Sequence, residues 1–248
     1  MKRVIVTSIL SFVLLFAFGM VAYGETNKVK LTGDELQWLI SESSGVTFGI
    51  NHKFKSVWII VGHGNGKRDI YWRSLVKPGL WMMNTGNARI DGDYLCSKWS
   101  NPGSRERCSD VYRVGEDKYE SWSQGSLRAT WFRGQTEYKE PKKKVKLTGA
   151  ELQELFYKEP GVFAGIGHRT KSVWILWCEG DKREVYWRSL TIPGWSGSDT
   201  TTARIDGDKS CMKWTWGPER CFDEYRIDEN KYETRLNGNL EDTYYKLR

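Results

Sequence analysis

Residues Lys28–Leu36 read K-V-K-L-T-G-D-E-L, and residues Lys144–Leu152 read K-V-K-L-T-G-A-E-L. The match continues through G-V-x-x-G-I-x-H (Gly45–His52, Gly161–His168) and K-S-V-W-I (Lys55–Ile59, Lys171–Ile175). It runs on through Y-W-R-S-L (Tyr71–Leu75, Tyr186–Leu190) and A-R-I-D-G-D (Ala88–Asp93, Ala203–Asp208). It ends at C-x-K-W (Cys96–Trp99, Cys211–Trp214) and E-R-C (Glu106–Cys108, Glu219–Cys221). Self-similarity in one fixed order marks a tandem duplication of a structural unit, so one copy can be read for both.

Each copy opens on a capping box. In Thr32-Gly33-Asp34-Glu35 and Thr148-Gly149-Ala150-Glu151, the Thr hydroxyl can accept an amide proton three residues on. The Glu side chain can reach back to the Thr amide. A short helix should follow, to about Ile40 and Tyr157, with Leu36 and Leu39 (Leu152 and Leu155) on one face. Glu35 and Glu151 are fully accounted for by capping. After the helix the pattern changes to strands: Val57–Val61 and Asp69–Leu75, matched by Val173–Trp177 and Glu184–Leu190. Asp91-Gly92 and Asp206-Gly207, each after Ala-Arg-Ile, are the strongest hairpin-turn signals in the chain. Cys96–Trp99, Cys108–Val114 and Tyr119–Trp122 add further strands. Turn residues arrive at short, regular intervals, as in an antiparallel meander that closes into a barrel or folds into a sandwich. The expected architecture is all-β: two tandem antiparallel meander domains, small barrel or sandwich, each preceded by a short capped helix. The domains span residues 25–138 and 144–248, with a basic linker over 139–146.

The N-terminus reads as a signal peptide. Lys2 and Arg3 precede a mostly apolar run from Val4 to Val21, and Ala22-Tyr23-Gly24 offers small residues at the peptidase positions. Cleavage after Gly24 would start the mature chain at Glu25 and place it in the periplasm or outside the cell. The formal charge would fall from +7 to +5, since Lys2 and Arg3 leave with no acidic residue. That mild excess gives no case for nucleic-acid binding, and the basic run Lys139–Lys146 reads as a solvated linker. No later segment is apolar enough to span a membrane, so no stable span is expected after signal cleavage.

An exported chain with five cysteines invites disulfides. Cys96–Cys108 and Cys211–Cys221 would staple each copy once, closing loops worth at most ~3 kcal/mol. Zinc is the sharper alternative, but the spacing is wrong and no His lies nearby. Asp91-Gly92-Asp93 and Asp206-Gly207-Asp208 lack the further oxygen ligands of a calcium loop. No metal and no cofactor is expected. Cys178, whose counterpart is Gly62, reads as a buried inert thiol.

An L-T-G-x-E-L start, a D-G-D turn, C-x-K-W, then a second Cys and an aromatic together resemble the small secreted proteobacterial proteins grouped as domain-of-unknown-function family 995. The resemblance covers both copies. It implies an exported, β-rich module and supplies no catalytic residue, and the tandem arrangement departs from the expected single-copy form.

The residues that a scaffold explains least are few. His52 and His168 recur, and either could contact a ligand or act as a base. Arg73 and Arg188, in Y-W-R-S-L, could grip an anion. Arg107, Arg220, Glu106 and Glu219 read as cross-strand pairs beside the disulfides. Of 13 Trp residues, Trp58, Trp72 and Trp99 recur as Trp174, Trp187 and Trp214 and read as core. Trp81, Trp195 and Trp216 sit in turn-rich stretches and could stack a glycan or peptide. No G-x-S-x-G, H-E-x-x-H or phosphate-binding loop is present. The leading expectation is therefore a non-enzymatic binding module for a small molecule, glycan or protein, not nucleic acid. Its rivals are an enzyme using His52, His168, Arg73 and Arg188 between the copies, and a structural envelope protein.

Overall fold

The computed structural model describes residues 28–247 except 42–44, 64–65, 78–80 and 216. The expected signal peptide, the Trp216 position and the Trp81 side chain lie outside the described residues. The first copy runs β1 (Val29–Lys30), α1 (Gly33–Ser41), β2 (Val46–Asn51), β3 (Ser56–Gly62), β4 (Lys67–Ser74), β5 (Trp81–Asp91), β6 (Tyr94–Trp99), β7 (Arg107–Arg113), β8 (Lys118–Ser123) and β9 (Ser126–Gly134). The second runs β10 (Val145–Lys146), α2 (Gly149–Phe156), β11 (Gly161–Gly167), β12 (Ser172–Glu179), β13 (Lys182–Ser189), β14 (Ser196–Asp206), β15 (Lys209–Trp214), β16 (Arg220–Asp228), β17 (Lys231–Leu236) and β18 (Asn239–Lys246).

In each copy eight strands follow one another around a closed antiparallel barrel, β2 to β9 and β11 to β18. Closure comes from β2 pairing β9 and β11 pairing β18, with β7–β8 and β16–β17 completing the ring. A barrel, not a sandwich, is thus the outcome, and closure removes the exposed edges of the sheet. The short β1 and β10 add to β7 and β16 outside the ring.

The two most repeated motifs recur because they touch. The Gly33 N–H donates to Asp93 Oδ1 at 2.8 Å, and the Gly149 N–H to Asp208 Oδ1 at 2.7 Å. A Cβ on Gly33 would stand 2.7 Å from the Gly92 carbonyl oxygen, and one on Gly149 2.5 Å from that of Gly207. Only glycine lets the helix start this close to the hairpin turn. The capping box is complete in the second copy, where the Glu151 N–H donates to Thr148 Oγ1, and in both copies the Thr32 and Thr148 N–H groups donate to Glu35 and Glu151 at 3.0 and 2.9 Å. Each helix thereby lays its Leu pair (Leu36 and Leu39, Leu152 and Leu155) on one end of its barrel core.

Two cores lie inside the barrels and a third lies between them. Val57, Ile59 and Val61 on the outer face of β3 pack with Val173 and Ile175 of β12. Phe48, Phe132, Val162, Ala164, Ile166 and Tyr245 complete this shared core, and Tyr245 stacks on Phe132 with centroids 4.9 Å apart. Strands buried on both faces lose polar alternation. That is why β11, G-V-F-A-G-I-G, is buried throughout and gives no strand signal.

The disulfides join directly opposed residues, Cys96 to Cys108 and Cys211 to Cys221. Cys178 is free and buried within the second barrel, where burial pushes its thiol up to about 12. Glu106 and Glu219 do form cross-strand pairs, but with Arg89 and Arg204, not with the adjacent Arg107 and Arg220. Each Arg grips its Glu with two N–H groups at 2.8–3.0 Å. The linker docks on the second barrel: Tyr138 donates to the fully buried Glu233, and Arg235 reaches Tyr138 and Glu140.

Candidate functional site

The recurring arginines sit where the two barrels meet. Arg73 Nη2 donates to Glu184 Oε2 at 2.7 Å, and Arg188 Nη1 to Asp69 Oδ2 at 2.9 Å. Asp69 and Glu184 occupy matching places four residues before each Arg, so these are one contact made twice about a pseudo-two-fold axis. Tyr71 and Tyr186 stack beside that axis at 5.7 Å. His63, unselected by the sequence reading, also bonds to Asp69, at 2.9 Å. His52 and His168 make another duplicated contact, Nε2 to Thr130 Oγ1 and to Thr243 Oγ1, both at 2.9 Å. His168 is half-buried against the Tyr138 ring, and burial holds its pKa below the usual range. The contacts of His52 and His168 therefore run to strand threonines, and those of Arg73 and Arg188 to interdomain carboxylates. Trp195 is exposed, its ring edge-on to Trp187 at 5.1 Å.

A different place stands out inside the second barrel. An eight-stranded barrel is just wide enough to be filled by side chains or to hold one small ligand. The second barrel contains a cavity of about 280 Å³ that is partly open to solvent. Phe163, Trp174, Leu176, Val185, Trp187, Trp214, Phe222 and Tyr244 form its apolar walls. Phe156 and Tyr157, at the end of α2, line it at the helix end. Arg169, Thr170, Arg220 and Glu241 line it at the far end of the strands, where Arg169 and Glu241 pair at 2.6 Å.

Two carboxyl groups project into this wall. Glu224 is 1% exposed and accepts from Ser210 Oγ at 2.6 Å, Thr234 Oγ1 at 2.9 Å and the Tyr244 hydroxyl at 3.1 Å. Burial raises its pKa, against the lowering effect of those three hydroxyls. Asp242 accepts from Trp174 Nε1 at 2.8 Å. Burial, reinforced by the nearby Glu224 and Glu241, pushes Asp242 up to about 7. Asp242 nevertheless keeps some accessible surface, as do Trp174, Trp187 and Met212. These residues all line the cavity.

The equivalent positions of the first barrel are apolar. The strand registers set Leu95 in place of Ser210, Val111 in place of Glu224 and Ala129 in place of Asp242. Trp131 replaces Tyr244 and gives its Nε1–H to Ser121 at 2.9 Å. Trp58, the match of Trp174, is buried in that core with Val111, Ala129 and Trp131. Sequence reading missed this site because it looked for what the copies share. The signal was available in three substitutions at aligned positions, each apolar in one copy and polar in the other.

The molecule is thus a fused pair of eight-stranded barrels, and the cavity described above lies in the second. No family model and no curated protein matches the chain. Among solved structures it is similar to the DNA polymerase III subunit beta from Pseudomonas aeruginosa, at 10% identity over 89% of this chain and 64% of that one, with a TM-score of 0.15. It is likewise similar to a Helicobacter pylori beta clamp bound to a DNA ligase peptide, at 7% identity over 89% and 66%, TM-score 0.15. The chain spans about two thirds of the length of those clamps, and a likeness at that score carries no argument about function. Among the described residues, no helix is long and apolar enough to cross a membrane.

Proposed function

We propose that this protein is an exported, non-enzymatic binding protein that encloses a small molecule inside its second barrel, with the first barrel as a fused support. One observation carries the reading: the cavity of about 280 Å³, with Glu224 and Asp242 in its wall, where the duplicate scaffold holds Val111 and Ala129. Buried carboxyls cost folding free energy and would be lost without a use. The cavity lies just under the usual range of small-molecule sites, roughly 300–1,000 Å³. Its mix of aromatic wall and few polar groups is also typical of them. The two disulfides fit an oxidising compartment, and with it the expected export signal. The resemblance to domain-of-unknown-function family 995 belongs to the same proposal and rests on the motifs quoted above.

The test is titration of the chain with 2-naphthol, a small aromatic probe, followed by quenching of tryptophan emission. Saturable one-site binding is expected. It should vanish when the second barrel is filled with the first barrel's residues (Ser210→Leu, Glu224→Val, Asp242→Ala). Binding that survives the filling, or no binding to the parent chain, would remove the reading.

A further inference from the structure

The cavity's chemistry narrows what it holds, provided that the second barrel is a ligand site as proposed above. Among the described residues, no salt bridge reaches Glu224 or Asp242; their partners are three hydroxyls and one indole N–H. Four arginines line the cavity: Arg204 is paired with Glu219, Arg220 stands at the far end of the strands, and the other two are Arg183 and Arg169. Arg183 Nη1 donates to the carbonyls of Gly180 and Lys182 at 2.6 and 2.8 Å, and its guanidinium lies over the Tyr157 ring. Arg169 is held by Glu241. Neither carboxyl of the wall therefore has a cation bonded to it, and the aromatic faces beside them attract cations. We propose that the second barrel takes a small organic cation, an amine on an apolar body, with the ammonium against Asp242 and Glu224 and the body between Trp174 and Trp187. Asp242 would act as the anchor, since it lines the cavity with one indole partner and is the less buried of the two, while Glu224 is sealed behind its hydroxyls.

Binding should then depend on pH in a defined direction. Asp242 titrates at about 7, facing Trp174, Glu224, Glu241 and Arg169. An ammonium beside it favours the ionised form, so each ligand bound below pH 7 must displace the Asp242 proton to solvent. Affinity should be flat above about 7 and weaken as the pH falls below it.

The experiment is calorimetric titration with three probes of one shape: phenethylamine, 2-phenylethanol and phenylacetate. The amine should bind tightest, by roughly tenfold over the alcohol, as a charge-assisted hydrogen bond supplies. Phenylacetate should not bind. Asp242→Asn, which keeps an acceptor for Trp174, should bring amine and alcohol to equal affinity and abolish the pH dependence. Glu224→Gln should reduce the amine preference less. If the alcohol or the acid binds as tightly as the amine, the cation assignment is wrong and the cavity reading stands. If none of the three binds while 2-naphthol does, the outcome is the same. If 2-naphthol fails as well, both fall together.

Discussion

The two barrels differ where a shared ancestor would have had one solution. In the first, Leu95, Val111 and Ala129 pack with Trp58 and Trp131 into a core that any small barrel could use. In the second, Ser210, Glu224 and Asp242 stand at the same places and border a cavity. Much of the frame around these positions recurs in both halves: the helix on the Asp-Gly turn, the cross-strand disulfide, the Arg–carboxylate contact between barrels. Duplication kept the frame and altered the contents. A fold can carry one stable half and one half that gives up packing for a site, because the shared core of Val57, Ile59, Val173 and Ile175 ties them together.

The comparison breaks most visibly by exchanging one residue. Val111→Glu would place a carboxyl in the first barrel, opposite Leu95 and Ala129 with none of the hydroxyl set of Ser210 and Tyr244. It should cost about 3 kcal/mol or more by denaturant unfolding, or prevent folding. Glu224→Val in the second barrel removes a buried carboxyl but leaves the Ser210, Thr234 and Tyr244 hydroxyls without their acceptor, so it should cost less than the first exchange, about 1–2 kcal/mol. Equal and large losses from both would mean that the second barrel is as closely filled as the first.

Next in size are the disulfides. Each closes a short loop, with sequence separations of 12 and 10. Replacing either pair by Ser should lower stability by up to ~3 kcal/mol, and by similar amounts in the two halves. A difference well beyond that scatter would show that the frame, and not only its contents, has diverged.

A smaller effect separates the halves by pH. Folding raises the Asp242 pKa from an ordinary value near 4 to about 7, so the folded chain holds a proton that the unfolded chain releases. The stability this lends is fully present below about 4 and is lost as the pH rises through about 7. Glu224 is shifted in the same direction. Asp242→Asn should therefore flatten the stability curve of the unliganded protein between those values, read as the midpoint of thermal unfolding. A slope unchanged in this variant would place the titration elsewhere.

The frame was legible because each of its parts is local. A capping box, an Asp-Gly turn and two Cys at close spacing are decided by a few neighbouring residues, and the duplication confirmed each by repeating it. Strands β2 and β11 were not legible, since burial on both faces or a glycine under a tryptophan ring erases alternation. In Gly49 and Gly165 a Cβ would meet the rings of Trp58 and Trp174 at 2.3 and 2.6 Å. The site was hidden for a different reason. Glu224 and Asp242 are 18 residues apart on strands that do not pair, and they share a cavity only once the barrel closes. Arg73 and Arg188 recur, and both lie in the symmetric contact between the halves.

The most direct test uses the indole N–H signals of two equivalent barrels. Trp174 donates to Asp242 in the second barrel, and Trp131 donates to Ser121 in the first. In a protein labelled with nitrogen-15 at tryptophan, added 2-naphthol should shift the Trp174 Nε1–H resonance saturably and leave that of Trp131 in place. Equal shifts at both, or none at either, would contradict the account.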